Sequence, residues 1–113
     1  MEINVFNHGR SCHADGVYTN GSVVVTKGSK INTDCKNKFG RYAEAFAMRK
    51  DPTIVDKNGV TIKDCRFNTP SAAAVFVAGS SRNGNDFWKV SEGVSLGAYF
   101  EKEGIRERKR RSK

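Results

Sequence analysis

The chain has 113 residues and a mass of 12.5 kDa, with 20 Lys and Arg against 12 Asp and Glu, a net charge of +8 and a pI near 9.7. This length holds one small domain, and 37% hydrophobic with 28% charged residues suits a modest globular core. No apolar run approaches the roughly 18 residues of a membrane-spanning helix, and the opening MEINVFNHGR lacks the basic and apolar stretches of a secretory leader.

The first element with a clear local signal is a hairpin. Asn20-Gly21 tolerates the positive φ angles of a type I′ turn and separates Gly16–Thr19 from Ser22–Thr26, where Val17, Val23 and Val25 favour a pleated surface. Gly28-Ser29 ends it. The polar stretch from Lys30 to Lys38 reads as a loop, and Lys27, Lys30, Lys36, Lys38 and Arg41 crowd around it with only Asp34 opposing them. That loop is either an ordinary solvated segment or, folded onto one sheet edge, a basic patch. FGRYAEAFAMRK, residues 39–50, favours a helix with Tyr42, Phe46 and Met48 on its buried face, stopped by Pro52. Asn58-Gly59 repeats the hairpin signal between Ile54–Lys57 and Val60–Lys63.

The sharpest helix start follows. Thr69 can cap, Pro70 can occupy the first helical position, and Ala72 to Ala78 form a run apolar on every side. Such a helix is buried rather than amphipathic, and Gly79 ends it. Arg82-Asn83-Gly84 reads as a turn before a short strand, Phe87–Val90, and Leu96, Tyr99 and Phe100 suggest a last short helix. Residues 102–113, KEGIRERKRRSK, hold seven basic and two acidic residues and one apolar one, Ile105. A tail of that composition cannot bury enough surface to order itself. The expectation is an α+β domain over residues 1–101 with a basic, disordered tail over 102–113. In the domain, two β-hairpins form a small, mainly antiparallel sheet packed on the buried Ala-rich helix, with one or two further short helices.

TPSAAAVFVAGSSRNGNDFWKV, residues 69–90, carries a family pattern of Thr-Pro-Ser-Ala-Ala-Ala, a few apolar residues, Gly, then Asn-Gly and Trp-Lys. It resembles the bacterial domain of unknown function found at the C-terminus of GIY-YIG-type nuclease-like proteins. It is also similar to the RAMA domain associated with restriction enzymes and adenine methylases. The likeness covers most of residues 10–101, and its specific part is Thr69–Lys89. It departs at Asn85, where relatives often carry an aromatic residue. The resemblance implies a compact α+β module linked to restriction, modification or nuclease systems, with a nuclease or methylase as partner protein and a role in DNA binding.

Charge and resemblance together predict a non-catalytic nucleic-acid-binding module, DNA favoured, or else an accessory interaction subunit of such a complex. Arg108, Lys109, Arg110 and Arg111 would attract phosphates by counterion release, the plainer alternatives being a solubilising tail or, less favoured for want of large apolar residues, an anionic membrane surface. Two segments have two readings each. Thr69-Pro70-Ser71 is an ordinary helix cap or, with the Ser71 hydroxyl, a phosphate cradle. Arg82, Asn83, Trp88 and Lys89 are a turn followed by a core tryptophan, or a guanidinium, amide, indole and ammonium group aimed at phosphates and bases. The core reading is favoured for the single Trp of a small domain. Cys12, Cys35 and Cys65 cannot all pair with one another and suggest a reducing, cytoplasmic setting. With His8 and His13 they could be offered as a zinc set. Only His8, Cys12 and His13 are close in sequence and no second ligand pair follows, so no metal is expected. Cys12 and His13 are neighbours in an extended segment, which sends them to opposite faces and argues against a nucleophile and its base. No paired carboxylates or phosphate loop appear, so neither catalysis nor a cofactor is expected.

Overall fold

Alternating burial along the chain builds a sheet with one covered face. In the computed structural model, which describes residues 2–34, 42–80 and 82–104, strands β1 (Glu2–His8), β2 (His13–Thr19) and β3 (Ser22–Val25) form an antiparallel meander. Ile3 and Val5, Ala14, Gly16 and Tyr18, and Val23 and Val25 lie on the core side, while the residues alternating with them lie on the other face. The Asn20-Gly21 turn is as expected, with φ of 47° and 92°. β4 (Cys65–Phe67) joins the free edge of β3, and β5 (Lys89–Ser91) and β6 (Val94–Ser95) extend the sheet beyond β1, giving the order β4-β3-β2-β1-β5-β6.

The covered face carries α2 (Pro70–Ala78), whose residues Ala73 to Ala78 are all buried. Thr69 is its extended N-cap and its hydroxyl accepts the Ala72 N–H at 3.0 Å; Gly79 closes the other end at a φ of 74°. α2 packs on β3 and β4 and against α1 (Ala43–Met48) and α3 (Gly84–Phe87), and α4 (Leu96–Glu103) completes the layer. Small alanine side chains let the α2 backbone approach the sheet, and Phe76 reaches Phe67 with ring centroids 5.0 Å apart.

Three expectations change. The Asn58-Gly59 segment is a short hairpin outside the main sheet, closed by Asp56 N–H to the Val60 carbonyl at 2.9 Å, Ile62 N–H to the Ile54 carbonyl at 2.8 Å and a bridge between Val55 and Thr61. Its second arm also pairs elsewhere. Thr61 N–H donates to the Ser29 carbonyl at 2.8 Å, Gly28 N–H to the Thr61 carbonyl at 2.9 Å, and Val60 bridges to Lys30. Second, Asn83-Gly84 opens a helix, because the Asn83 side chain caps it by accepting the Asn85 N–H at 2.9 Å; the strand then starts at Lys89. Third, three short helices accompany α2 among the described residues. The helix expected over 39–50 covers Ala43–Met48, with its first three residues outside the described ones; Ala45 is its buried contact, and Tyr42 and Met48 pack at the core margin.

Arg49, just past α1, locks the C-terminal end of α2. Its guanidinium donates to the Phe76 carbonyl at 2.6 Å and to the Asn32 carbonyl. Helix C-termini leave carbonyls without intrahelical partners, and a guanidinium fork can serve two acceptors at once. Arg49→Ala should therefore cost about 2–3 kcal/mol, the scale of charged hydrogen bonds lost from a partly buried place. Urea unfolding should show a lower midpoint with an unchanged slope. Arg49→Lys should recover only part, since one ammonium cannot reproduce the fork.

Candidate nucleic-acid interface

The tight turn between β1 and β2 sets up a cleft. Gly9 N–H donates to the Cys12 carbonyl at 2.8 Å, which holds Arg10 and Ser11 at the tip. On the core side of the strands, the Asn7 amide donates to the Phe87 carbonyl at 2.8 Å and so ties β1 to α3. Asn32 N–H donates to the Val77 carbonyl at 2.8 Å and docks the following loop onto the end of α2. These ties enclose a cleft of about 160 Å³ lined by Asn7, Arg10, Ser11, Cys12, Asn32 and Arg82, with Gly9, Ala78 and Phe87 filling its walls. No carboxylate lines it among the described residues.

Cys12 sits in this cleft, and its thiol donates to the Asn7 side-chain oxygen at 3.4 Å. Burial pushes the thiol pKa up, while the charges of Arg82 and Lys30 pull it back. Burial therefore wins and keeps Cys12 a thiol at neutral pH, not an activated nucleophile. Its neighbour His13 is exposed on the opposite face, as strand alternation requires. Cys65 is likewise buried in the core, with its thiol also pushed up by burial. What the cleft offers is positive charge: Arg10 and Arg82 on its walls, and Lys30 close enough to act on the same thiol. Guanidinium groups suit phosphate oxygens, which they can bind in pairs.

The residues singled out in the sequence part company here. Trp88 is fully buried, and its indole N–H donates to the Pro70 carbonyl at 3.1 Å, so the indole has no free face for a base. The Ser71 hydroxyl accepts the Gly84 N–H at 3.0 Å, and the Asn83 amide oxygen caps α3. Thr69, Pro70, Ser71, Asn83, Gly84 and Trp88 thus form a clasp that fixes α3 across the start of α2. The cap and core readings hold for these residues, and the phosphate cradle and the stacking indole do not. Lys89 is half-buried on β5 and donates to the Asp86 carbonyl at 2.8 Å. Lys27 is exposed, with its backbone N–H bound to the Asp64 carboxylate at 2.8 Å. Lys30 bridges β2 and the Val60 segment, and Arg82 is exposed at the cleft. Lys36, Lys38, Arg41, Arg108, Lys109, Arg110 and Arg111 lie outside the described residues.

Arg10 was not among the predicted residues. A single arginine in a turn carries no sequence signal; only the packing of the turn against α2 and α3 makes it a neighbour of Arg82. The cross-strand group His8, His13 and Asp15 also goes beyond the sequence reading, which grouped the histidines with Cys12 and left out Asp15.

A family described as Domain of unknown function (DUF4357) matches residues 5–100. The chain belongs to the DUF4357 family. The DUF4357 match runs from Val5 in β1 to Phe100 in α4 and so takes in the sheet, the clasp and the cleft. It agrees with the resemblance at the level of a domain of unknown function. No curated protein and no solved structure matches this DUF4357 chain. None of its described helices is long and apolar enough to cross a membrane.

Proposed function

We propose that this chain is a non-catalytic nucleic-acid-binding module, with DNA as the favoured ligand, working beside restriction, modification or nuclease enzymes as its likeness to the nuclease-associated and RAMA domains implies. The observation that carries this reading is the cleft of Arg10 and Arg82, with Lys30 acting on the same thiol and no carboxylate on the walls. The net charge of +8 supports it, with five units of that excess in residues 102–113. The division of labour follows from the physics. The charges of residues 102–113 supply attraction through counterion release, which requires no fixed geometry. Arg10 on the closed turn and Arg82 between α2 and α3, both lining the cleft, supply a phosphate position that sets register on the nucleic acid.

The test is a titration on duplex and single-stranded DNA at two salt concentrations. Binding should weaken steeply as salt rises. Arg10→Ala and Arg82→Ala should each reduce the salt slope on duplex DNA by about one. Absence of binding at low salt, or binding indifferent to salt, overturns the reading. Deletion of residues 102–113 should weaken binding while leaving a remainder that Arg82→Ala removes. If deletion alone abolishes all binding, the folded body is an interaction module and not a reader of nucleic acid.

A further inference from the structure

On the outward face of the sheet, beside the turn that carries Arg10, the histidines stand together with a carboxylate. His8 and His13 are directly opposite each other in the β1–β2 register. The Gly9–Cys12 hydrogen bond closes the turn, and the backbone N–H and C=O of His13 both pair with Lys30, at 2.8 and 2.9 Å. His8 and His13 are therefore a non-hydrogen-bonded pair, the kind in which opposing side chains come closest. Their rings stack with centroids 3.8 Å apart and planes 5° from parallel. Asp15, two residues along β2, shares that face and lies diagonally from His8, where its Oδ1 is 2.9 Å from His8 Nε2. One ligand atom from each of the three residues falls within 4.8 Å of the others, and all three residues are exposed.

We propose that His8, His13 and Asp15 form a binding site for a borderline divalent transition-metal ion, with Zn²⁺ the first to test. Two imidazoles and one carboxylate are the donor set of zinc, nickel, copper and cobalt; magnesium and calcium prefer all-oxygen surroundings. Metal–ligand bonds of about 2.0–2.2 Å in tetrahedral arrangement need donor atoms roughly 3.3 Å apart. Reaching that spacing from within 4.8 Å calls for rotation of the side chains, while the backbones on both strands stay paired. The ion takes the place of the hydrogen shared by His8 and Asp15. Phe6 packs against His8 with ring centroids 4.8 Å apart and limits how far that ring can swing. Three protein ligands leave a fourth position for water or an anionic ligand. The site is separate from the cleft and does not depend on nucleic-acid binding: Asn7 and Cys12, next in sequence to His8 and His13, point to the other side.

The experiment is calorimetric titration of the reduced full chain with Zn²⁺ alone and with Ni²⁺ alone, alongside NMR of the histidine side chains. Saturable one-to-one binding is expected, with shifts or broadening centred on His8 and His13. His8→Ala and His13→Ala should each weaken binding more than about tenfold, since even outer partners of a ligand are worth about 10–100-fold. Asp15→Asn should also weaken it, and Cys12→Ser, Cys35→Ser and Cys65→Ser should leave it unchanged. Because the three ligands are exposed, their replacement leaves the core intact, which the emission of buried Trp88 checks. Three results each overturn the proposal: no saturable binding, binding retained by the His8→Ala/His13→Ala double variant, or equal competition by Mg²⁺.

Discussion

Gly84→Ala should leave the domain unfolded or close to it. Gly84 begins α3 where that helix crosses the start of α2, and a Cβ there would lie 2.5 Å from the Pro70 carbonyl oxygen. It would press still closer on the Pro70 carbonyl carbon and the Ser71 nitrogen. All three obstacles are backbone atoms of the first turn of α2, so no rotamer change relieves the clash. Moving α3 away would break the bond from Gly84 N–H to Ser71 and draw Trp88 from its acceptor on Pro70. The expected loss is at least about 4 kcal/mol, in the range reserved for severe core damage. A domain of this size has about 5–15 kcal/mol in total and loses roughly 4–8 °C of Tm per kcal/mol. Thermal unfolding followed by circular dichroism should show a Tm lowered by about 15 °C or more, or no transition. A Gly84→Ala chain that melts like the parent would mean that α3 does not sit against Pro70.

This places the meaning of the Thr69–Lys89 pattern in packing. Its most distinctive residues, Thr-Pro-Ser, Asn-Gly and Trp, are those that join α2 to α3. A pattern of this kind marks a shared way of folding. Under the proposed reading, contacts to nucleic acid come from residues around the clasp, and Arg82, between α2 and α3, lines the cleft.

The elements readable from the sequence were those set by local chemistry. Asn20-Gly21, the Thr69-Pro70 start, the Gly79 stop and the final helix at Leu96 each depend on a few adjacent residues. β1 and β4 depended on partners far along the chain. Glu2–His8 has little β-branched content beyond Ile3 and Val5, and it is a strand because it pairs with β2 and β5. Asn58-Gly59 shows a local signal read correctly but incompletely. Its turn and local pairing exist, but the second arm also bonds to Ser29 and Lys30, partners that no local signal encodes, and the pair stays outside the main sheet. The same limit applies to the sites. Arg82 was reachable from sequence as a cation beside a distinctive segment. Arg10 and the His8–His13–Asp15 group arise from turn closure and strand register, which no spacing within one segment encodes.

Replacing Trp88 separates a structural tryptophan from one that reads a base. Trp88→Ala should remove about 3–5 kcal/mol, the usual cost of emptying a large aromatic site in a core, and so most of the stability of a small domain. Trp88→Phe is the sharper variant. Phenylalanine keeps much of the buried ring and the edge-on contact now made with Phe87 at 5.0 Å, but it cannot donate to the Pro70 carbonyl. Leaving that acceptor unpaired should cost about 1–3 kcal/mol beyond the lost ring volume. Urea unfolding followed by circular dichroism gives the stability of both variants, since the chain's single fluorescent indole is gone. DNA affinity of Trp88→Phe, measured where the variant is still folded, should equal that of the parent, because the indole has no exposed face. A Trp88→Phe chain of undiminished stability and weakened DNA binding would reverse the assignment and make Trp88 part of the interface. A destabilised chain with parental affinity would keep binding with Arg10 and Arg82, outside the clasp.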